Sequence, residues 1–149
     1  MELHQQPGHL IRRAHQIAVS MFLEALGREL TPVQYAVLRK LQDRPGIDQV
    51  TLASEVALDT STTAELAVRL EAKGWLVRQM LPRRQRSLLL TDEGQALLAR
   101  LEPALQAMHS AMLNGLTEAE RSQFLHLLHK FVSLNNEQSR APLRAGPSA

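Results

Sequence analysis

A chain of 149 residues, 44% hydrophobic and 21% charged, carries enough apolar material for one buried core and is too apolar for wholesale disorder. The absence of cysteine excludes disulfide frameworks, thiolate nucleophiles and thiolate zinc sites together. No apolar run approaches a membrane span or follows the order of a signal peptide, so a cytoplasmic protein is expected.

Net charge is only +2, too little to name a partner. Its distribution says more. Between Lys73 and Leu90 there are five cations, Lys73, Arg78, Arg83, Arg84 and Arg86, and no anion.

In chain order, "GHLIRRAHQIAVSMFLEAL" places Leu10, Ala14, Ile17, Met21 and Ala25 on one stripe with Ile11, Ala18 and Phe22 beside it, which predicts a helix with a broad apolar face. "LTPVQYAVLRKL" opens a second helix, with Thr31 as cap, Pro32 at the first helical position and Gln34 placed to bond back to the cap; "DRPG" closes it. A short helix follows from Gln49 to Val56, with Val50, Leu52, Ala53 and Val56 directed inward. A tight turn through Ala57 and Leu58 then delivers Asp59 as the cap of a helix from Thr60 to Lys73 that buries Thr63, Leu66, Ala67 and Leu70 and ends at Gly74. Two short helices joined in this way predict a helix-turn-helix.

After Gly74 the spacing turns from helical to extended. "WLVRQM" and "RSLLLT" flank the basic turn "LPRRQ", which predicts a hairpin. Thr91 caps a long helix with Leu97, Leu98, Leu101, Leu105, Met108 and Met112 on one stripe, which Pro103 should bend or interrupt. Thr117 and Glu120 form a capping box for a last helix expected to bury Phe124, Leu127, Leu128, Phe131 and Leu134. Residues 136–149 are polar and aperiodic and predict a flexible tail. The fold class is mainly α (α+β), a winged helix-turn-helix with a two-stranded β-wing.

A helix-turn-helix followed by a basic hairpin suits a DNA duplex, because permanent cations on a projecting arm gain affinity by displacing counterions from phosphates. Arg83, Arg84 and Arg86 are the candidate groove and backbone contacts, arginine being suited to a narrow minor groove. Thr60, Ser61, Thr62 and Thr63 open the reading helix with short hydroxyl side chains that allow close approach to bases and phosphates, although Thr63 also falls on its buried face. Arg69 and Lys73 suit phosphate contacts or pairing with nearby acids.

The residues "LTPVQYAVLRKL", "VTLASEVALDTSTTAELAVRLEAKGWLVR" and "PRRQRSLLLTDEGQALL" together resemble the MarR family of winged-helix transcription regulators, over nearly the whole chain. The resemblance implies a homodimer whose first and last helices interlock (8–28 and 93–135). It implies a DNA-binding part over 31–92, a pseudo-palindromic double-stranded site, and repression relieved by a small molecule. Two features depart from the family pattern. Arg84 stands where an aspartate commonly braces the wing turn, which implies a more mobile wing, and Glu65 occupies a position that is often basic. The opening "PGHLIRRAHQIAVSMFLEAL" resembles a subgroup that controls degradation of aromatic and heteroaromatic acids, which implies an aromatic acid effector and no cofactor. His9, Arg13, His15 and Tyr35 are the candidate ligand residues, arginine offering a carboxylate two parallel bonds and imidazole meeting a ring hydroxyl. His9, Arg13 and Gln16 are expected on one helical strip, with His15 nearer the apolar face.

His126 and His129, three apart on the last helix, together with His109, could serve a metal-responsive regulator, and the basic hairpin could instead meet an acidic protein. An enzyme is not expected, since no acid pair, thiol or glycine-rich phosphate loop accompanies these histidines.

Overall fold

The computed structural model describes residues 1–144, the Arg84 side chain excepted. A short 3-10 turn leads into helix α1 (Pro7–Leu26), followed by α2 (Pro32–Asp43), α3 (Gln49–Glu55), α4 (Thr60–Ala72), strands β1 (Leu76–Met80) and β2 (Arg86–Leu90), and helices α5 (Asp92–Met112) and α6 (Glu118–Leu134). The helix starts follow from side-chain chemistry. Thr31 and Gln34 exchange reciprocal bonds at 3.1 Å, Asp48 and Asp59 accept the amides of Thr51 and Thr62, and Thr91 and Thr117 do the same for α5 and α6.

β1 and β2 pair antiparallel, with Leu76 opposite Leu90 and Met80 opposite Arg86. The segment before α3 lies along the other edge of β2. Gly46 donates to the Leu88 carbonyl and Leu88 to that of Ile47, both at 3.0 Å, and Asp48 pairs with Ser87. Nothing in the spacing of "PGIDQ" had suggested this third edge.

The core gathers Leu30, Leu38, Leu41, Leu52, Leu70, Leu76 and Leu88, all fully buried where the helix-turn-helix meets the sheet. α1 packs along α5, whose Leu97, Leu98, Leu101, Leu105 and Met108 are buried as its stripe predicts. α5 runs without a break through Pro103, so the expected interruption is absent.

The chief departure is α6. Phe124, Leu127, Leu128, Phe131 and Leu134 were expected to be buried, yet the helix buries no residue in the single chain and their exposures run from 43% to 74%. Leu10, Ile11 and Ile17 on the outer half of α1 are exposed as well. Helical periodicity identifies an apolar face but not what covers it, and among the described residues of one chain nothing covers these. Val50, expected inside, is also exposed, because α3 has only two turns and its buried side is taken by Leu52 and Ala53.

Candidate nucleic-acid interface and effector cavity

α3 is fixed against α2 by a buried carboxylate. Glu55, with 7% of its side chain exposed, pairs with Lys40 at 3.1 Å and with Arg44. This ion set spans separate helices, so no local motif announces it.

At the start of α4 the Asp59 carboxylate accepts the Thr62 amide at 2.7 Å and the Thr62 hydroxyl at 2.8 Å. Those bonds hold its carboxyl below the usual carboxylate range. Thr60 and Ser61 are exposed, and Thr62 is half-buried with its hydroxyl engaged in the cap. Thr63 does not belong with them. It is 1% exposed and its hydroxyl donates to the Asp59 carbonyl at 2.9 Å, so it faces the core rather than the open end of α4. Glu65 and Arg69 lie exposed farther along the helix.

The five cations of the sequence are not equivalent. Arg78 donates from Nε and Nη2 to Glu71 Oε1 at 3.1 and 2.9 Å, and its backbone N–H donates to Oε2 at 2.8 Å. These contacts hold the Glu71 carboxyl below its ordinary range, the side-chain bond contributing most. The acid missing from the wing turn is thus matched by one in α4 that ties β1 to the reading helix. Lys73 donates to the Glu29 carbonyl at 2.9 Å and lies 4.7 Å over the Trp75 ring. That leaves the outer cations. Arg83 sits exposed at the turn with φ 65°, and Arg86 is exposed on β2. The Arg84 side chain, expected beside them, lies outside the described residues.

On α1 His9, Arg13 and Gln16 share one strip of the continuous helix, but the side-chain bonds along it run through Arg12. Arg12, not Arg13, joins His9 and Gln16, with Nη1 donating to Gln16 Oε1 at 3.2 Å and Nη2 lying 3.3 Å from His9 Nδ1. The steps of three and four residues from His9 to Arg12 to Gln16 place these on one face, and Arg13, four residues past His9 and three before Gln16, lies on the same strip with no side-chain bond to either among the described residues. Arg13 and His15 are both exposed.

Tyr35 is half-buried against Phe22, with ring centroids 6.0 Å apart. It lines a cavity of about 400 Å³ together with Arg39, Gln42, Leu98, Ala99 and Glu102. Burial pushes the Tyr35 hydroxyl up, with Arg39 opposing. Arg39 is held by Asp43 at 2.5 Å. The spacing Tyr35, Arg39, Gln42 along α2 and Leu98, Glu102 along α5 could have signalled this cleft, but only once the two helices were known to be neighbours. His9 lies thirteen residues before Phe22 on α1, about 20 Å along the axis at 1.5 Å per residue. One chain therefore does not bring His9 and Arg13 to Tyr35.

Among the described residues no three His, Cys, Asp or Glu side chains cluster as a metal site, and no helix is long and apolar enough to cross a membrane. His126 and His129 stand exposed on α6.

A profile of the MarR family matches residues 30–88. The chain is 32% identical over 135 residues to the transcriptional regulator HosA of Escherichia coli, covering 89% of this chain and 99% of that protein. It superposes on PcaV of Streptomyces coelicolor, solved with its natural ligand, with a TM-score of 0.85 and 36% identity over 89% of this chain and 96% of that one. BpsR of Bordetella bronchiseptica, whose DNA binding is regulated by 6-hydroxynicotinic acid, superposes with a TM-score of 0.82 and 30% identity over 89% and 98% of the two chains. With its winged helix-turn-helix, its end-to-end likeness to a transcriptional regulator and its matching architecture, the chain belongs to the MarR family of transcriptional regulators.

Proposed function

We propose that this protein is a homodimeric, sequence-specific DNA-binding repressor, released from a pseudo-palindromic operator by a small aromatic acid and acting in the cytoplasm. The observation that carries this reading is the exposure of Thr60 and Ser61 at the open end of α4 together with that of Arg83 and Arg86 among the described side chains of a wing tied to α4 through Arg78 and Glu71. Hydroxyl side chains at a helix start approach bases closely, and the positive end of the helix favours the phosphates alongside. Arg83, Arg84 and Arg86 follow the duplex backbone and minor groove, with Arg69 farther along the reading helix.

Residues 31–92 form the reading head. The helices over 8–28 and 93–135 join two heads, since the exposed apolar faces of α1 and α6 exceed what an isolated subunit normally leaves to water. A two-fold dimer presents two α4 helices at a fixed spacing, which calls for a site with matching symmetry.

The effector reading rests on the Tyr35 cavity, which is large enough for a single-ring acid and is lined by Arg39, and on the basic start of α1, where His9, Arg13 and His15 lie. Both likenesses, to PcaV with its ligand and to BpsR with 6-hydroxynicotinic acid, support a small effector. Because the two groups of residues are far apart within a chain, assembly of two chains is the route by which α1 of one reaches the cleft of the other.

The test is a gel-shift titration on the DNA flanking the gene at two salt concentrations, repeated with hydroxylated aromatic acids. A salt-sensitive shift that the acid weakens is expected. A shift absent at both salt concentrations overturns the reading.

A further inference from the structure

The chain beyond α6 turns back onto the reading head. After a 3-10 turn at Asn136–Gln138, the Asn136 side chain clasps Leu143 from both sides, accepting its N–H at 2.8 Å and donating to its carbonyl at 2.9 Å. Glu137 pairs with the Arg144 guanidinium. The Arg144 backbone N–H donates to the Ser54 carbonyl on α3 at 2.9 Å, and Ala141 and Pro142 are half-buried. Residues 136–144 are therefore a closed loop seated on the helix-turn-helix, whereas residues 145–149 of the expected tail lie outside the described residues.

Ser54 precedes Asp59, the cap of α4, by five residues, so the loop arrives beside the open end of the reading helix. It brings one exposed cation that the clasp does not use. Arg140 is exposed, has no carboxylate within ion-pair distance among the described residues, and exerts an attractive pull on Asp59.

We infer that this C-terminal loop is a third DNA-contacting element of the reading head, with Arg140 meeting the phosphate backbone beside the start of α4 while Asn136, Glu137 and Arg144 hold the loop in place. The inference rests on the DNA-binding reading above. Its ligand is the phosphodiester backbone, so it adds affinity without adding sequence preference. Each neutralised phosphate releases about 0.9 counterion from B-DNA, and a dimer carries two copies of the loop, so Arg140 accounts for roughly 2 units of the slope of log K against log salt.

The experiment compares the full-length protein with Arg140→Ala, Arg140→Lys and Arg140→Glu by fluorescence anisotropy on the flanking DNA and on a scrambled duplex, across a salt series. Arg140→Ala is expected to lower the slope by about 2 and to weaken both duplexes by the same factor. Arg140→Lys should restore the slope, and Arg140→Glu should weaken binding further. Unchanged melting temperatures are expected, because the side chain is exposed. Parental binding with an identical slope in Arg140→Ala overturns the loop's role and leaves the function standing. A loss confined to the flanking DNA also overturns it, since that is base reading. A parent that binds neither duplex overturns both.

Discussion

The junction between the wing and α5 depends on Gly94 having no side chain. A Cβ built there lies 2.1 Å from the Trp75 carbonyl oxygen, 3.0 Å from its carbon and 3.2 Å from Leu90 Cδ2. The carbonyl cannot retreat freely, because it accepts the Thr91 N–H at 3.1 Å while the Thr91 hydroxyl donates to the Gly74 carbonyl at 2.5 Å. Relieving the clash in Gly94→Ala requires α5 and the start of β1 to part by about 1 Å. Forcing a methyl group into such packing costs about 1–3 kcal/mol or somewhat more, and the better helix propensity of alanine returns at most about 1 kcal/mol. A net loss of about 2 kcal/mol corresponds to roughly 4–8 °C for a chain of this size. Thermal melts of parent and variant at one fixed protein concentration measure it, since a dimer's midpoint depends on concentration. Because Trp75 leads into β1 and Thr91 follows β2, DNA affinity should fall along with stability. A Gly94→Ala protein that melts within about a degree of the parent and binds DNA equally would refute the close-approach argument.

Three other outcomes are expected. Phe124→Asp combined with Phe131→Asp puts charge on the uncovered face of α6 and should halve the mass measured by light scattering; an unchanged mass excludes that face from the dimer. Thr63→Val removes the hydroxyl bonded to the Asp59 carbonyl and should cost about 1 kcal/mol with operator preference intact, whereas Ser61→Ala should alter DNA binding with little change in melting; the reverse pattern contradicts their placement. For Glu71, bonded to Arg78, the folded carboxyl lies below its ordinary 4.5, so its stabilisation is complete above that value and is lost as pH falls through the lowered one. Melting of Glu71→Gln across pH 7 to 3 should therefore lose part of the parent's acid sensitivity; parallel curves argue against the pairing.

The parts of this molecule legible from the sequence are those decided within a few residues. Thr31, Asp59, Thr91 and Thr117 cap their helices as their positions predict, and the α5 stripe is buried as its period requires. Quantities decided between distant residues were not legible. Glu71 lies just outside the acid-free run of cations, and only the fold shows that it engages Arg78. The edge at Gly46–Asp48 pairs through backbone groups, which leave no residue pattern. Arg12 and Arg13 stand three and four residues past His9 and flank it on either side of α1, so spacing alone does not decide which of them bonds to it. Polarity, the only cue in the segment after α6, predicts a frayed end, whereas residues 136–144 close into a loop through one asparagine bonding across seven residues.

Pro103 sits in the middle of α5, the rod that leads from the wing toward α6. Lacking an amide hydrogen, it leaves the Ala99 carbonyl without its helical donor, and Ala99 forms part of the wall of the Tyr35 cleft. The rod is consequently one rung short beside the cleft, where a bend costs least. Because α5 joins the wing to α6, any bend at this least-bonded stretch is magnified along the rod and shows most at its two ends.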